Sequence, residues 1–198
     1  MPVRVGIALV AAGLTAAAAQ FTTTVPFTAV PFTLTPIAVL LSGAVLGSRL
    51  GALSQVMYVL AGAFGLAVFS PSVTLPPGAL RLMGPTGGYL MAYPLAAFVT
   101  GSLAERGFDR RYLTSVLAML AGLAIIFTSG VLWLGLFGRT LTDSAPVGIQ
   151  AALATGLYPF LLPDTIKLAI AAGFVPALWR VVGRTDERRE SDGPAPAR

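Results

Sequence analysis

The chain has 198 residues, of which 56% are hydrophobic and only 11% charged, with a formal net charge of +5 and a mean hydropathy of +0.82. A soluble domain carries about a quarter charged residues. The composition therefore describes a polytopic membrane protein, with room for about six helices at ~20 apolar residues per span and none for a soluble catalytic or nucleotide-binding domain. There is no His and no Cys, which excludes disulfides, cysteine zinc sites, thiol nucleophiles and Ser–His dyads. Lys167 is the sole lysine and follows Asp164-Thr165-Ile166, so the chain has no Gly-Lys-Ser/Thr phosphate loop with which to hydrolyse ATP. The arginines sit between apolar runs, as charge that orients a membrane chain does, rather than forming a nucleic-acid surface.

Val3 to Ala19 is the first apolar run. Arg4 before it and Ala16-Ala17-Ala18-Ala19 at its end also fit a cleaved signal peptide, but the orientation argument below needs this run as a span. Gln20 to Pro36 is rich in Thr and Pro, carries no charge, and holds the doubled Val25-Pro26-Phe27-Thr28 and Val30-Pro31-Phe32-Thr33. Proline fixes φ and disfavours helix, so this segment is expected to be extended, as a rigid connector or a lid. Ile37 to Gly47 is a short span, lengthened if Pro36 occupies the first helical turn. A tight turn marked by Arg49 leads into Ala52–Phe69. Ser70 to Gly87 is a Pro/Gly-rich loop containing Arg81, and a fourth span runs from about Gly88 to Leu103. A charged connection, Glu105 to Arg111, precedes a fifth span from about Tyr112 to Phe137. Val147–Leu162 is apolar but interrupted by Pro159, and with Pro163 next to it reads as a short outer helix or re-entrant element. Asp164 to Val182 is the last span, and Arg184 to Arg198 reads as a polar, disordered tail.

Charge sets the count. With six spans and the N-terminus inside, Arg4, Arg49, Arg106, Arg110, Arg111, Arg180, Arg184, Arg188, Arg189 and Arg198 fall on the cytoplasmic side, and only Arg81 and Arg139 outside. That is the asymmetry the positive-inside rule requires, and a seventh span would export the C-terminal cluster. The expected fold is an all-α six-helix transmembrane bundle over residues 1–183, with a tail over 184–198 and both termini cytoplasmic.

Within such a bundle some residues need a further reason. Ala8, Ala12 and Ala16 form a small-residue row on the first helix, Gly43, Gly47 and Gly51 a second, and Ala118 with Gly122 a third. Such rows let backbones approach closely, inside the bundle or, for the first helix, against another membrane subunit. Asp164 and Lys167 are three apart, so they project from one helical face. A charge near a helix centre costs ~2.5–3.5 kcal/mol. The pair is either a structural ion pair or a ligand site with an acceptor beside a cation, suited to a small molecule with N–H donors and a carboxylate. Gly84-Pro85-Thr86-Gly87-Gly88-Tyr89 offers close backbone approach and an amphipathic ring. Gln55 and Tyr58 share a face of the third span, bonding between helices or touching a ligand.

Val30-Pro31-Phe32-Thr33-Leu34 followed by the run Leu41 to Gln55, then Tyr58 and Gly62-Ala63-Phe64-Gly65-Leu66, resemble the first half of the BioY biotin transporter family. Gly84 to Leu90 resembles that family's glycine loop, and Pro159 to Lys167 its Asp-x-x-Lys motif. The resemblance covers roughly Thr22 to Val182. It departs at Thr35-Pro36, where Gln often follows Thr-Leu, at Ala67, where Pro often stands, and at Pro163, where Gly commonly precedes the Asp. These departures touch loop geometry more than substrate class. The resemblance implies a substrate-binding subunit of an energy-coupling-factor vitamin importer, without enzymatic activity, cofactor or metal. Biotin would be its ligand, and a transmembrane coupling subunit, ATPase subunits and the lipid bilayer its partners. It further implies that Asp164 accepts a ureido N–H of biotin and that Lys167 serves the ureido oxygen or the carboxylate. Tyr89, Gly84, Thr86 and Gly87 would line the ring pocket, with Gln55 and Arg81 as further polar contacts and Ala8, Ala12 and Ala16 as a docking row. The rivals are a self-sufficient ion- or proton-coupled secondary transporter of a small acid, an intramembrane hydrolase and a purely structural subunit. The hydrolase is poorly served, because neither a Ser–His dyad nor an Asp pair can be built.

Overall fold

The structure, a computed structural model, describes residues 2–23, 28, 30–72, 75–137 and 147–176. Helix α1 (Pro2–Gln20) opens the chain with Pro2 in its first turn, where a missing N–H costs nothing. Two short strands, β1 (Thr22–Thr23) and β2 (Phe32–Thr33), pair antiparallel with Thr22 opposite Thr33. They tie together the described ends of the Thr/Pro-rich connector, a strap of which residues 24–27 and 29 lie outside the described residues. Helix α2 (Thr35–Ala63) starts with Pro36 in its first turn, as expected, and is interrupted at Gly47, whose φ of 81° and ψ of 177° are not helical. The interruption is a reversal of the chain. Gln55 on the second arm donates to the Ser42 hydroxyl on the first at 2.9 Å, although thirteen residue steps of helix would separate them by about 20 Å.

The reversal corrects two expectations. The turn falls at Gly47 rather than Arg49, because only a residue free of Cβ strain adopts this positive φ readily. Gly43, Gly47 and Gly51 are not a row on one helix. Gly43 and Gly51 face each other across the hairpin, where a Cβ on Gly51 would lie 2.7 Å from the Gly43 Cα. The Glu105 carboxylate fastens the turn by accepting the Ser48 N–H at 2.7 Å and the Ser48 hydroxyl at 2.9 Å. It thereby supplies an acceptor at the start of the second arm, where helix donors lack partners. The second arm ends at Ala63, short of the expected Phe69.

The Ser70–Gly87 loop contains a single turn, α3 (Leu80–Met83). Helix α4 (Gly87–Leu103) runs into a π-helical turn at Ala104–Phe108, and α5 (Tyr112–Leu136) follows close to its expected bounds. Helix α6 (Ile149–Gly156) and helix α7 (Tyr158–Ala172) meet at Leu157. The expected start of the last span at Asp164 is corrected to Tyr158. Pro159 occupies the first turn, where proline is compatible with helix, and Pro163 is carried inside. Asp164 and Lys167 consequently lie in mid-helix rather than at its edge.

Helix α1 packs on α2, α2 on α4 and α4 on α5, with α7 closing against α5 and α2. Among the described residues, Val3–Gln20, Thr35–Ala63, Tyr112–Leu136 and Tyr158–Pro176 are long and apolar enough to cross a membrane. Helix α4, with 17 residues, is of similar character. The molecule is thus a mainly helical, multi-pass membrane bundle. Gly122 of α5 is buried where a Cβ would meet Leu40 and Thr100, so the Ala118/Gly122 pair serves internal packing. Residues 184–198, read as a tail, lie outside the described residues.

Candidate functional site

One cavity lies where the strap crosses the ends of the helices. The strap contributes Val30, Pro31 and Thr33, and the start of α2 contributes Thr35 and Pro36. Tyr58 of the second arm, Tyr89 and Tyr93 of α4 and Phe127 of α5 form aromatic walls. Phe160 and Asp164, one helical turn apart on α7, complete it. Tyr58 stacks on Tyr93 at 6.2 Å between ring centroids and meets the edge of Phe69 at 5.5 Å, so the walls are fixed by their neighbours. The free volume is about 50 Å³, space for a few waters.

Asp164 is buried, 6% exposed, and lines this cavity. Lys167 donates to Asp164 Oδ1 at 2.7 Å and to the Thr33 carbonyl at 3.1 Å. One ammonium therefore joins the acidic group of α7 to the backbone of β2, which makes the pair both an ion pair and a fastening for the strap. Phe32 stacks on Phe160 at 4.2 Å beside that contact. Thr28 donates to the Thr155 carbonyl at 2.7 Å, tying the strap to α6 as well.

The remaining sequence candidates divide. Tyr89 lines the cavity and donates its hydroxyl to the Gly156 carbonyl at 2.8 Å, holding α4 to α6. Thr86 lines it too. Gly84 and Gly87 do not; they support the loop from behind. The Trp133 indole donates to the Gly84 carbonyl at 3.0 Å, and Ser129 donates to the Gly88 carbonyl at 2.9 Å. A Cβ at Gly87 would strike the Leu82 carbonyl, so glycine is required by packing. Arg81 is buried beneath the loop and donates to the carbonyls of Leu75 and Ser70. Burial lowers its pKa from the ordinary value, and nearby Tyr58 opposes that shift. Arg81 thus braces Ser70, which lines the cavity, and does not line it itself.

Gln55 does not line this cavity, and of the two roles open to it the contacts seen are those of an interhelical clasp. It is fully buried, and its amide donates to Thr15 at 3.1 Å, Ser42 at 2.9 Å and Ser54 at 3.1 Å. The alanine row is likewise turned inward. Ala8 is 0% and Ala12 9% exposed, on the face of α1 that carries Thr15, and Ala16 packs against the core. In the single chain Ala8 and Ala12 pack into the bundle, one of the two uses the row allowed.

Sequence reasoning missed Tyr93, Phe127 and Phe160 as wall residues. The available signal was spacing: Tyr93 follows Tyr89 by four residues and Phe160 precedes Asp164 by four, placing each beside a candidate on one helix face.

A multi-pass helical bundle with a small aromatic cavity, a carboxylate in its wall and an extended strap across it defines a membrane protein that binds a small solute. The family model described as the BioY family matches residues 3–184, and the chain belongs to that family. A Pyrococcus horikoshii protein named "probable biotin transporter BioY" is 41% identical over 133 residues, 67% of this chain and 70% of the relative. The biotin transporter BioY of Thermotoga maritima is 40% identical over 134 residues, 68% of this chain and 72% of its own. BioY2 of Lactococcus lactis is 30% identical over 184 residues, covering 91% and 93%. The crystal structure of an S-component for biotin from an ECF-type ABC transporter superposes with a TM-score of 0.75 at 20% identity, over 89% of this chain and 90% of that one. The likeness establishes a shared fold.

Proposed function

We propose that the chain is the biotin-binding membrane subunit of an energy-coupling-factor importer and captures biotin from the outer side. The observation that carries this reading is Asp164, a buried carboxylate in the wall of an aromatic cavity. It matches a bicyclic ligand with two ureido N–H donors and an apolar thiophane ring, and the names of the relatives give the same ligand. Asp164 accepts from a ureido N–H. Lys167 gives up its bond to Thr33 and turns to the ureido oxygen or the carboxylate. Tyr58, Tyr89, Tyr93 and Phe127 pack on the ring system. A cavity of about 50 Å³ admits no molecule of that size, so binding requires the strap to move outward first, breaking the Lys167–Thr33 bond and the Phe32–Phe160 stack.

The span reading counts six crossings: α1, the two arms of α2, α4, α5 and α7. They form one membrane domain over residues 1–183, with residues 184–198 as a tail and both termini in the cytoplasm. The subunit performs no catalysis and works with a transmembrane coupling subunit and ATPase subunits that supply the energy.

Calorimetric titration of biotin into the detergent-purified chain alone tests the function. Saturable one-to-one binding without any ATPase is the expected result, and absence of heat from a monodisperse sample rejects it. Topology has its own check in this cysteine-free chain. A single cysteine replacing Ser191 should resist an impermeant thiol reagent in intact cells, and labelling there rejects the six-span reading.

A further inference from the structure

A second hollow lies on the outside of the bundle, between α1 and the first arm of α2, and encloses about 580 Å³. Val3, Ile7, Val10 and Leu14 form one wall, and Leu41 and Val45 the other. Its polar contributor is Ser42, whose hydroxyl is already committed to the Val39 carbonyl at 2.7 Å. Gly6 gives the groove depth, because nothing lies within 4 Å of where its Cβ would stand. Eleven residue steps from Val3 to Leu14 make it about 16 Å long. That is about half of a ~30 Å hydrocarbon core. A partner helix would run the full thickness, whereas one lipid tail occupies one leaflet.

The charge at its end fits the same occupant. Arg4 is in register with Ile7, Ala11 and Leu14 on one helical face, and it directly follows Val3, which lines the end of the groove. Arg49 follows the Gly47 turn, three residues after Leu46, which lines the groove. Among the described residues neither arginine makes an ion pair. The chain has no Asp or Glu before Glu105, and the Glu105 carboxylate is engaged by Ser48. We infer that this groove binds one acyl chain of an anionic phospholipid, with the lipid phosphate held at the mouth by Arg4 and Arg49. Basic residues beside a membrane surface recognise anionic headgroups in this way, and arginine does so through paired N–H donors.

The test uses the full chain, delipidated in detergent and offered phosphatidylglycerol or phosphatidylcholine with identical acyl chains, with retention read by native mass spectrometry. The chain should retain phosphatidylglycerol at least about fivefold better than phosphatidylcholine. Arg4→Gln together with Arg49→Gln should bring that preference to about unity. Gly6→Leu, whose Cβ would meet nothing within 4 Å, puts a side chain into the groove and should lower retention of both lipids by about tenfold. Helical circular dichroism and monodispersity should be unchanged in all variants, which separates loss of the lipid from loss of the fold. Equal retention of the two lipids overturns the inference, as does a preference that survives the double arginine change. Retention unaffected by Gly6→Leu in a folded sample also overturns it, by moving the lipid elsewhere.

Discussion

Two buried polar clusters lie within the apolar helices, and they have opposite characters. Between α1 and the two arms of α2, Gln55 donates to three hydroxyls, and each hydroxyl donates onward to a carbonyl of its own helix. Gln55 lines neither of the two cavities described above, although its partner Ser42 borders the outer groove. At the other cluster, Lys167 joins Asp164 to the strap carbonyl, but Asp164 also lines free volume ringed by aromatic side chains. Pairing offsets the cost of placing polar groups in hydrocarbon at Asp164 and at the Gln55 amide nitrogen, while the buried Gln55 Oε1 has no hydrogen-bond partner among the described residues. What separates a clasp from a site is the space beside the pair and a wall that can move.

The largest effect expected from that contrast is at Asp164. Asp164→Asn keeps the side chain's size and replaces one acceptor oxygen with a donor, which meets a ureido N–H badly. A mispaired buried polar group costs ~1–3 kcal/mol, more with charge, so biotin affinity by calorimetry should fall at least ~10-fold. Unchanged affinity in the folded variant erases the distinction between the clusters. Lys167→Met comes next. It frees the Thr33 carbonyl and leaves Asp164 without its cation, so affinity should fall about threefold to tenfold. Stopped-flow measurement should also show faster association, because the strap has lost a fastening. The two substitutions combined should cost less than their sum, since both act on one network.

The smallest effect on binding belongs to Gln55→Leu. The three hydroxyls keep their backbone acceptors, so the loss is confined to the amide's own bonds, about 1–2 kcal/mol of stability. Chemical denaturation in detergent should register that loss, while biotin affinity stays within about twofold of the parent. A tenfold loss of affinity at Gln55 with the fold intact would make the clasp a second ligand contact.

The contrast also explains what could be read from the residues and what could not. Hydropathy placed the helices, and the Asp164/Lys167 spacing put both groups on one face. The cost of charge in hydrocarbon marked that face as needing a reason. Gln55 carried a similar signal, because a polar residue in an apolar span looks alike whether the space beside it is filled by Thr15 and Ser42 or left open. Periodicity gives a face but not its direction, so Ala8 and Ala12 could not be assigned to the inside of the bundle before α2 was in place. Pro159 and Pro163 suggested a break, yet a proline in a helix's first turn loses no hydrogen bond, and α7 simply starts earlier. The aromatic walls were hidden because Tyr and Phe are ordinary in membrane spans. Only the convergence of α2, α4, α5 and α7 makes Tyr58, Tyr93, Phe127 and Phe160 neighbours.

The central claim is that Asp164 meets the ligand in a cavity opened by the strap, and a structure of the chain with biotin bound tests it most directly. The account predicts a ureido nitrogen within hydrogen-bond distance of the Asp164 carboxylate, and Val30–Thr33 displaced so that Lys167 no longer reaches the Thr33 carbonyl. Biotin seated elsewhere, or seated in the cavity with the Lys167–Thr33 bond intact, would contradict it.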